Sequence, residues 1–357
     1  MGRKRVMDAD VIILRRSIDK DNKVTGIGVY ADKIKSLLDD NNLVSDEIFF
    51  KLTSDEGHLK CVTHGLILPT YHLNKVKGKM YHATDEFCCL AYPFFKGKKI
   101  TTFHHVFKET EREGKSPMLY AFWKMAAKYA LKYSDAMIAV SQQTKDELVE
   151  ILGADPDKIH VLNHSSNKVF KDLKRPRKKL IGFVGTLIER KNVEVGIRAF
   201  KLFSEMPDME EYNMVICGDG PLKKDLINLV EVLDISDKIT FVSNITQNEL
   251  MNLYNDMAVF VNPSLHEGLG LTAMEAKTCG VPVVYFKDAE IPSEIAEYYV
   301  PSDDIEDFAN NMYRLVTDKK FRDFFVNKPI PGLSDEEYSR ELFKIYSEVI
   351  GEKFPDR

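Results

Sequence analysis

No stretch of this 357-residue chain approaches the ~20 consecutive apolar residues that span a bilayer, which excludes a transmembrane helix. Cysteine is scarce and unpatterned. The five present, Cys61, Cys88, Cys89, Cys217 and Cys279, contain no C-x-x-C pair and are odd in number. That speaks against a disulfide framework and for free thiols in a reducing cytosol. Adjacent Cys88 and Cys89 read as buried small hydrophobes rather than a redox or metal pair. The chain has a single tryptophan, Trp123, and neither an internal repeat nor a low-complexity tract, so repeat architectures do not apply. The start, MGRKRVMDADVIILRR, is basic, but its apolar run is too short for a secretory leader and reads as a first buried strand.

Charge is not in large excess either, with a net of −5, yet it is unevenly divided. Residues 1–178 carry 31 Lys and Arg against 23 Asp and Glu, whereas residues 179–357 carry 19 against 32. A basic half joined to an acidic half points the N-terminal half toward an anionic partner. A composition of 44% hydrophobic and 29% charged residues is that of a soluble globular protein, and 357 residues are too many for one typical core. Two domains are expected.

Short apolar runs, each followed by turn residues, give the element order. Val11–Arg15 is the first strand, and Gly26-Ile27-Gly28 opens a helix to about Leu38. Val62–Leu68, Met80–His82, Leu90–Tyr92 and Lys99–Phe103 read as successive strands of a parallel sheet. The last of these ends in His104-His105, where a doubly wound sheet binds its ligands. Residues 117–133 form an amphipathic helix with Lys124, Lys128 and Lys132 on one stripe. A solvated lysine face is the plainer reading of that stripe, and an anionic membrane surface the sharper one. Asp135–Val140 is a strand, with Ser141 or Thr144 capping the helix that follows. The charged segment Lys171–Lys179 reads as the connector, and Leu180–Val184, Asn213–Cys217, Ile239–Val242 and Val259–Val261 as strands beyond it. Asp335–Ile350 is a terminal helix with Leu342, Phe343, Ile345, Tyr346 and Val349 on its apolar side.

The most informative stretch is Asn262–Val284, NPSLHEGLGLTAMEAKTCGVPVV. Pro263 ends a strand, Gly268 and Gly270 let the backbone turn tightly, and Leu271–Thr278 is a helix stopped by Gly280 and Pro282. The free N–H groups of Gly270, Leu271 and Thr272 then make an anion site suited to a pyrophosphate. Glu267 precedes this helix and Glu275 lies one turn into it, on the face of Leu271 and Thr272.

The H-E-G-x-G loop, the second Glu and the G-V-P-V strand together resemble the donor-sugar motif of retaining GT-B glycosyltransferases of family 4. The likeness extends to T-G-I-G-V-Y at Gly26, S-Q-Q-T-K-D-E-L at Ser141, G-T-L-I-E-R-K after Val184 and G-D-G-P at Gly218. It implies an α/β chain of GT-B fold, with two Rossmann-like β/α/β domains facing a central crevice. The domains would be 1–174 for the acceptor and 175–330 for the nucleotide sugar, with 331–357 a helix returning to the first. It implies that Glu267, Gly268, Leu269 and Gly270 hold the donor sugar and that Glu275 binds the ribose hydroxyls. Lys191 would grip the diphosphate, His104 would sit near the sugar, and Gly26, Gly218 and Gly220 would line the donor site. Where many members carry Arg after the glycine, this chain has Thr186, a cation that Arg190 could replace.

The implied reaction is hexose transfer, of mannose or glucose type, to a hydroxyl of a glycan, lipid-linked or small-molecule acceptor. GDP-mannose and UDP-glucose are the first donors to try. No cofactor or metal is expected, since the Asp-x-Asp pairs Asp8/Asp10, Asp19/Asp21 and Asp155/Asp157 read as turn or strand-flanking acids. No nucleic acid partner is expected. The location is read as cytoplasmic, with peripheral contact at the membrane face left open. Two other classes stay in view: an epimerase or phosphorolytic enzyme on the same scaffold, and a non-catalytic sugar-nucleotide-binding subunit.

Overall fold

The computed structural model describes residues 7–16, 26–50, 76–108, 117–163, 169–328, 330 and 335–354. They divide into two compact units, Met1–Ser165 with Leu333–Arg357, and Ser166–Gly332.

In the first unit the short apolar runs become β1 (Met7–Arg16), β2 (Ser45–Phe50), β3 (Val76–Ala83), β4 (Lys98–Phe103), β5 (Ala136–Ala139) and β6 (Ile159–Val161). The sheet order is β2-β1-β3-β4-β5-β6, and every neighbouring pair is parallel. Parallel sheets are covered on both faces, which is why all four residues of β5 are buried. Trp123, Ala127 and Ala130 of the helix Pro117–Tyr133 belong to one cluster against the sheet. A second cluster joins the helices Gly26–Asp40 and Asp335–Ile350 to it. Tyr338, Leu342, Phe343, Ile345 and Tyr346 of the terminal helix are buried there, with Val349 partly so. Each fully buried side chain of this size contributes roughly 1.5–3 kcal/mol. A buried polar chain also ties the terminal helix down. Tyr346 Oη lies 2.6 Å from His82 Nδ1, and His82 Nε2 lies 2.8 Å from Thr102 Oγ1. Tyr30 Oη is 2.9 Å from the same threonine oxygen.

One expected strand is corrected. Leu90–Tyr92 lies in a 3-10 turn, Glu86–Phe94, not in the sheet. The reason is local: the Asp85 carboxylate accepts from the N–H groups of Phe87 and Cys88, winding the chain as it leaves β3. The Tyr92 hydroxyl then donates to Ile100 O at 2.6 Å, pinning the turn onto β4. The expected strand Val62–Leu68 lies outside the described residues. The plain reading of Cys88 and Cys89 holds, as both are fully buried free thiols.

The second unit contains β7 (Leu180–Val184), β8 (Asn213–Cys217), β9 (Ile239–Val242), β10 (Val259–Asn262), β11 (Val283–Phe286) and β12 (Val300–Ser302). Their order is β12-β11-β10-β7-β8-β9, again all parallel. The chain moves outward from β7 to β9 and then crosses to β10 on the other side of β7. In such a sheet ligands bind beyond the carboxyl ends of the strands where the order reverses, here β7 and β10. The core includes Ile197, Phe200 and Phe203 of the helix Val193–Ser204 and Phe308, Met312 and Leu315 of the helix Ile305–Thr317.

The charged segment Lys171–Lys179, expected as the connector with the first domain ending at residue 174, falls in the unit Ser166–Gly332. Arg175 pairs with Asp256 at 2.6 Å, and Asn255 Oδ1 accepts from the Leu173 N–H at 2.8 Å. Arg177 Nη2 donates to Cys279 O at 2.5 Å. Arg175 and Arg177 place their donors on this unit, while Lys171, Lys174, Lys178 and Lys179 are exposed.

Candidate active site

Two loops of the second unit leave the sheet at the order reversal, one after β7 and one after β10. The first winds into a 3-10 turn, Glu189–Lys191, ended by Asn192 in the left-handed conformation at φ 48°. The second, Pro263–Gly270, is stitched to it where the Leu265 N–H donates to Arg190 O at 2.9 Å. On its other side the Glu267 N–H donates to Glu290 O, also at 2.9 Å. The backbone therefore fixes both loops before any side chain acts.

The side chains converge on Glu267. Lys191 Nζ lies 2.5 Å from Oε1, and Arg190 Nη1 lies 3.2 Å from Oε2. Arg190 Nη1 also donates to His266 O. The Glu267 side chain is only 6% exposed. Burial by itself would push its carboxyl up, but Lys191 and Arg190 outweigh burial and hold it down at about 2. Lys191 is shifted downward, because burial costs its ammonium more than Glu267 returns. One carboxylate thus sits between two cations, leaving one net positive charge at the mouth of the loop.

Gly270 adopts φ +70°, a left-handed conformation that favours glycine, and no side chain caps the helix Leu271–Thr278 that begins after it. The N–H groups of Leu271 and Thr272 are at the open N-terminus of that helix, where the dipole favours an anion. Gly268 and Leu269 are buried beneath the turn. One turn into the helix, Glu275 is half-buried and accepts from the Tyr254 hydroxyl at 2.9 Å. Burial raises its carboxyl to about 7, with the Tyr254 hydrogen bond opposing the rise.

Gly218 and Gly220 follow β8, and packing alone demands glycine at both. A Cβ on Gly218 would lie 1.9 Å from Gly185 O, and one on Gly220 would lie 2.4 Å from Leu187 O. The backbones of the loops after β7 and β8 touch, so these glycines build the floor on which Arg190 and Lys191 stand. Thr186 is exposed, and no cation occupies its position.

In the first unit, Gly26 opens its helix, while the loop before it lies outside the described residues. His104 follows β4, half-buried, with Nε2 2.9 Å from Thr84 O. A carbonyl only accepts, so Nε2 carries a proton in this contact. The Tyr30 ring meets the His104 ring edge-on, 4.8 Å between centroids. His105 packs against Phe107 at 4.3 Å. Of the Asp-x-Asp residues, Asp155 caps a 3-10 turn through the Asp157 N–H, and Asp10 accepts from the Val44 N–H and pairs with Lys79. Asp19 and Asp21 lie outside the described residues.

Sequence reasoning missed Tyr254 and His82. His82 is fully buried, and burial followed by the nearby His104 lowers it to about 3, so it stays neutral. A histidine inside an apolar strand was the available signal. Tyr254 sits in a helix of ordinary composition, Gln247–Asp256, and carried none.

The chain is similar to known proteins over most of its length. Residues 165–328 match the family described as glycosyl transferases group 1, and residues 80–165 match glycosyltransferase family 4. The O-antigen chain mannosyltransferase RfbU of Salmonella typhimurium is 29% identical over 164 residues, 46% of this chain and 45% of that protein. A D-inositol 3-phosphate glycosyltransferase of Streptomyces bingchenggensis is 30% identical over 208 residues, 52% of this chain and 46% of that protein. The matches thus span about half the length of these curated relatives. Among solved structures, sucrose-phosphate synthase from Thermosynechococcus elongatus superposes with a TM-score of 0.76 at 17% identity, covering 96% of this chain and 99% of that one.

Proposed function

Because this chain belongs to the group 1, family 4 glycosyltransferases and shares their GT-B architecture, we propose that it moves a hexose from a nucleotide diphosphate to an acceptor hydroxyl with retention. The observation that carries this reading is the Arg190–Glu267–Lys191 group beside the open N-terminus of Leu271–Thr278. A leaving diphosphate needs positive charge placed in advance where its negative charge grows. Two cations against one carboxylate, together with the N–H groups of Leu271 and Thr272, supply that charge without a metal ion. Glu267, kept ionised at every working pH, accepts hydrogen bonds from the hydroxyls of the donor sugar. The position of Arg190 on Glu267 supports its standing in for the cation that relatives carry at the Thr186 position.

Glu275 takes the ribose hydroxyls. His104 is the first-unit residue assigned to the sugar, its ring held by the Thr84 carbonyl through Nε2. Mannose is the first hexose to test, since one relative is named as an O-antigen chain mannosyltransferase. The acceptor is a glycan or a lipid-linked glycan. Lys128 and Lys132 stand exposed on Pro117–Tyr133, which supports peripheral contact with an anionic membrane, and no helix among the described residues is long and apolar enough to cross one.

A melting-temperature screen of sugar nucleotides identifies the donor, because only a ligand of the folded state stabilises it. Turnover with that donor, with and without a chelator, then yields a glycoside whose anomeric configuration is read by NMR. The reading stands if the product keeps the configuration of the donor and the chelator has no effect. An inverted product, or release of sugar phosphate instead of a glycoside, overturns it.

A further inference from the structure

The hydroxyl of Tyr254 reaches Glu275 across 21 residues of sequence and makes a 2.9 Å hydrogen bond to Oε2. Tyr254 is fully buried and its ring is wedged between two others, Phe170 at 5.6 Å and Phe260 at 5.9 Å. The ring cannot swing away. Burial raises the phenol far above its ordinary range, so at any working pH it keeps its proton and can donate it to the Glu275 carboxylate. Glu275 is different, being only half-buried, and among the described residues the hydrogen bond it accepts is taken by Oε2. One oxygen is therefore fixed by the Tyr254 hydroxyl, on a residue that keeps part of its surface open.

That asymmetry matters for a diol. Two vicinal ribose hydroxyls present two O–H donors, and a carboxylate receives them well only when ionised and correctly turned. A carboxylic acid offers its own proton in one of those directions and loses an acceptor. We propose that Tyr254 is a positioning residue for the donor: it locks the rotamer of Glu275 and favours its carboxylate form, so that the ribose meets a prepared acceptor. This rests on the reading of Glu275 as the ribose ligand. The other titratable and charged groups around this pair do not compete near neutrality. Cys217, at the end of β8, and Cys279, at the end of the Glu275 helix, are pushed up by burial to about 11 and about 12. Arg177 and Asp172 of the connector lie at the C-terminus of that helix and pair with each other at 3.4 Å.

The sign of the pH dependence follows. With Glu275 at about 7 in the free protein, a ligand that needs the carboxylate binds progressively more weakly below neutrality and displaces a proton there. Removing the Tyr254 hydroxyl takes away a group that favours ionisation, so the midpoint moves up. Sugar nucleotides are suitable probes, because both their phosphates are diesters with no proton to lose near neutrality.

The test has a ligand-free arm and a ligand arm. In the first, the side-chain carboxyl of Glu275 is titrated by carbon NMR in wild type and Tyr254→Phe. An upward shift of the midpoint is expected, and an unchanged midpoint overturns the proposal whatever the ligand. In the second, calorimetry follows UDP-glucose and GDP-mannose from about pH 6 to about pH 8.5, with Tyr254→Phe expected to bind about tenfold more weakly at neutrality and to recover toward alkaline pH. An equal loss at every pH, accompanied by a lower melting temperature, marks a merely structural tyrosine and overturns the proposal. Glu275→Gln separates the two readings. If it binds both probes like wild type, or if wild type binds neither, the assignment of the ribose site fails. If Glu275→Gln loses binding while Tyr254→Phe does not, only the positioning role fails.

Discussion

Glu267 and Glu275 stand in one strand–loop–helix stretch with seven residues between them, yet their surroundings send them in opposite directions. The first is held at about 2 and the second raised to about 7. Both lose water on folding. The difference is that Lys191 and Arg190 face Glu267, whereas among the described residues the neutral phenol of Tyr254 faces Glu275. Loop geometry decides it: the turn after β7 delivers two cations to the residue before the helix and none to the residue one turn inside it. A permanently ionised carboxylate suits a group that must accept hydrogen bonds at every working pH. A group poised at neutrality suits a ligand that must be ionised to grip.

The largest expected effect comes from taking away the charged member. Glu267→Gln should lower turnover on the order of 10³-fold, because an anchoring charge beside the reacting carbon is lost. It also leaves two cations without their carboxylate, and removing one partner of a buried pair costs about 3–5 kcal/mol. A melting curve beside the kinetic assay separates the two losses. Unchanged turnover would remove Glu267 from the chemistry.

Next comes an attempt to make the first carboxylate resemble the second. Lys191→Met should lower kcat/KM on the order of 10²-fold, as expected for losing one preplaced charge. It should also raise the Glu267 carboxyl, since a principal cause of its depression is gone. Carboxyl NMR reads that shift, and a carboxyl still at about 2 would show Arg190 to be sufficient.

A smaller effect lies in the pH profile of the unaltered protein. Glu267, depressed in the folded state, contributes stability above its ordinary value that is lost only as pH falls toward 2. Glu275, raised in the folded state, does the reverse and costs stability as pH rises through 7. The KM for donor should therefore climb about tenfold per pH unit below neutrality while kcat stays level. Parallel falls in kcat and kcat/KM would place the titrating group in the chemical step instead.

The smallest is a control outside the pair. Asp155→Ala should cost about 1 kcal/mol through the lost cap and leave activity intact. A large loss of activity would reopen the metal reading of Asp155 and Asp157.

The second unit was the more legible, and the reason is local. Its strands are short apolar runs, Leu180–Val184 and Asn213–Cys217 among them, and its loops carry glycine and proline in the order that strand–turn–helix units need. Lys191 and Glu267 could be named from such signals. Their contact could not, because 76 residues separate them and only the pairing of β7 with β10 brings them together. The same holds for Tyr254 with Glu275, and for Tyr346 with His82 at a separation of 264 residues. In the first unit the signals conflict. Ser45–Phe50 opens with three polar residues and still forms β2, while Leu90–Tyr92 is apolar enough for a strand and is diverted by the Asp85 cap. In the connector, charge did not reveal the partners of Arg175 and Arg177, which are Asp256 and the Cys279 carbonyl.

The most direct measurement is a crystal structure with the donor sugar nucleotide bound. The diphosphate should lie within hydrogen-bond reach of Lys191 Nζ and the N–H groups of Leu271 and Thr272, with Glu267 against the sugar and Glu275 against the ribose. A diphosphate bound away from Lys191 and that helix N-terminus would contradict the account.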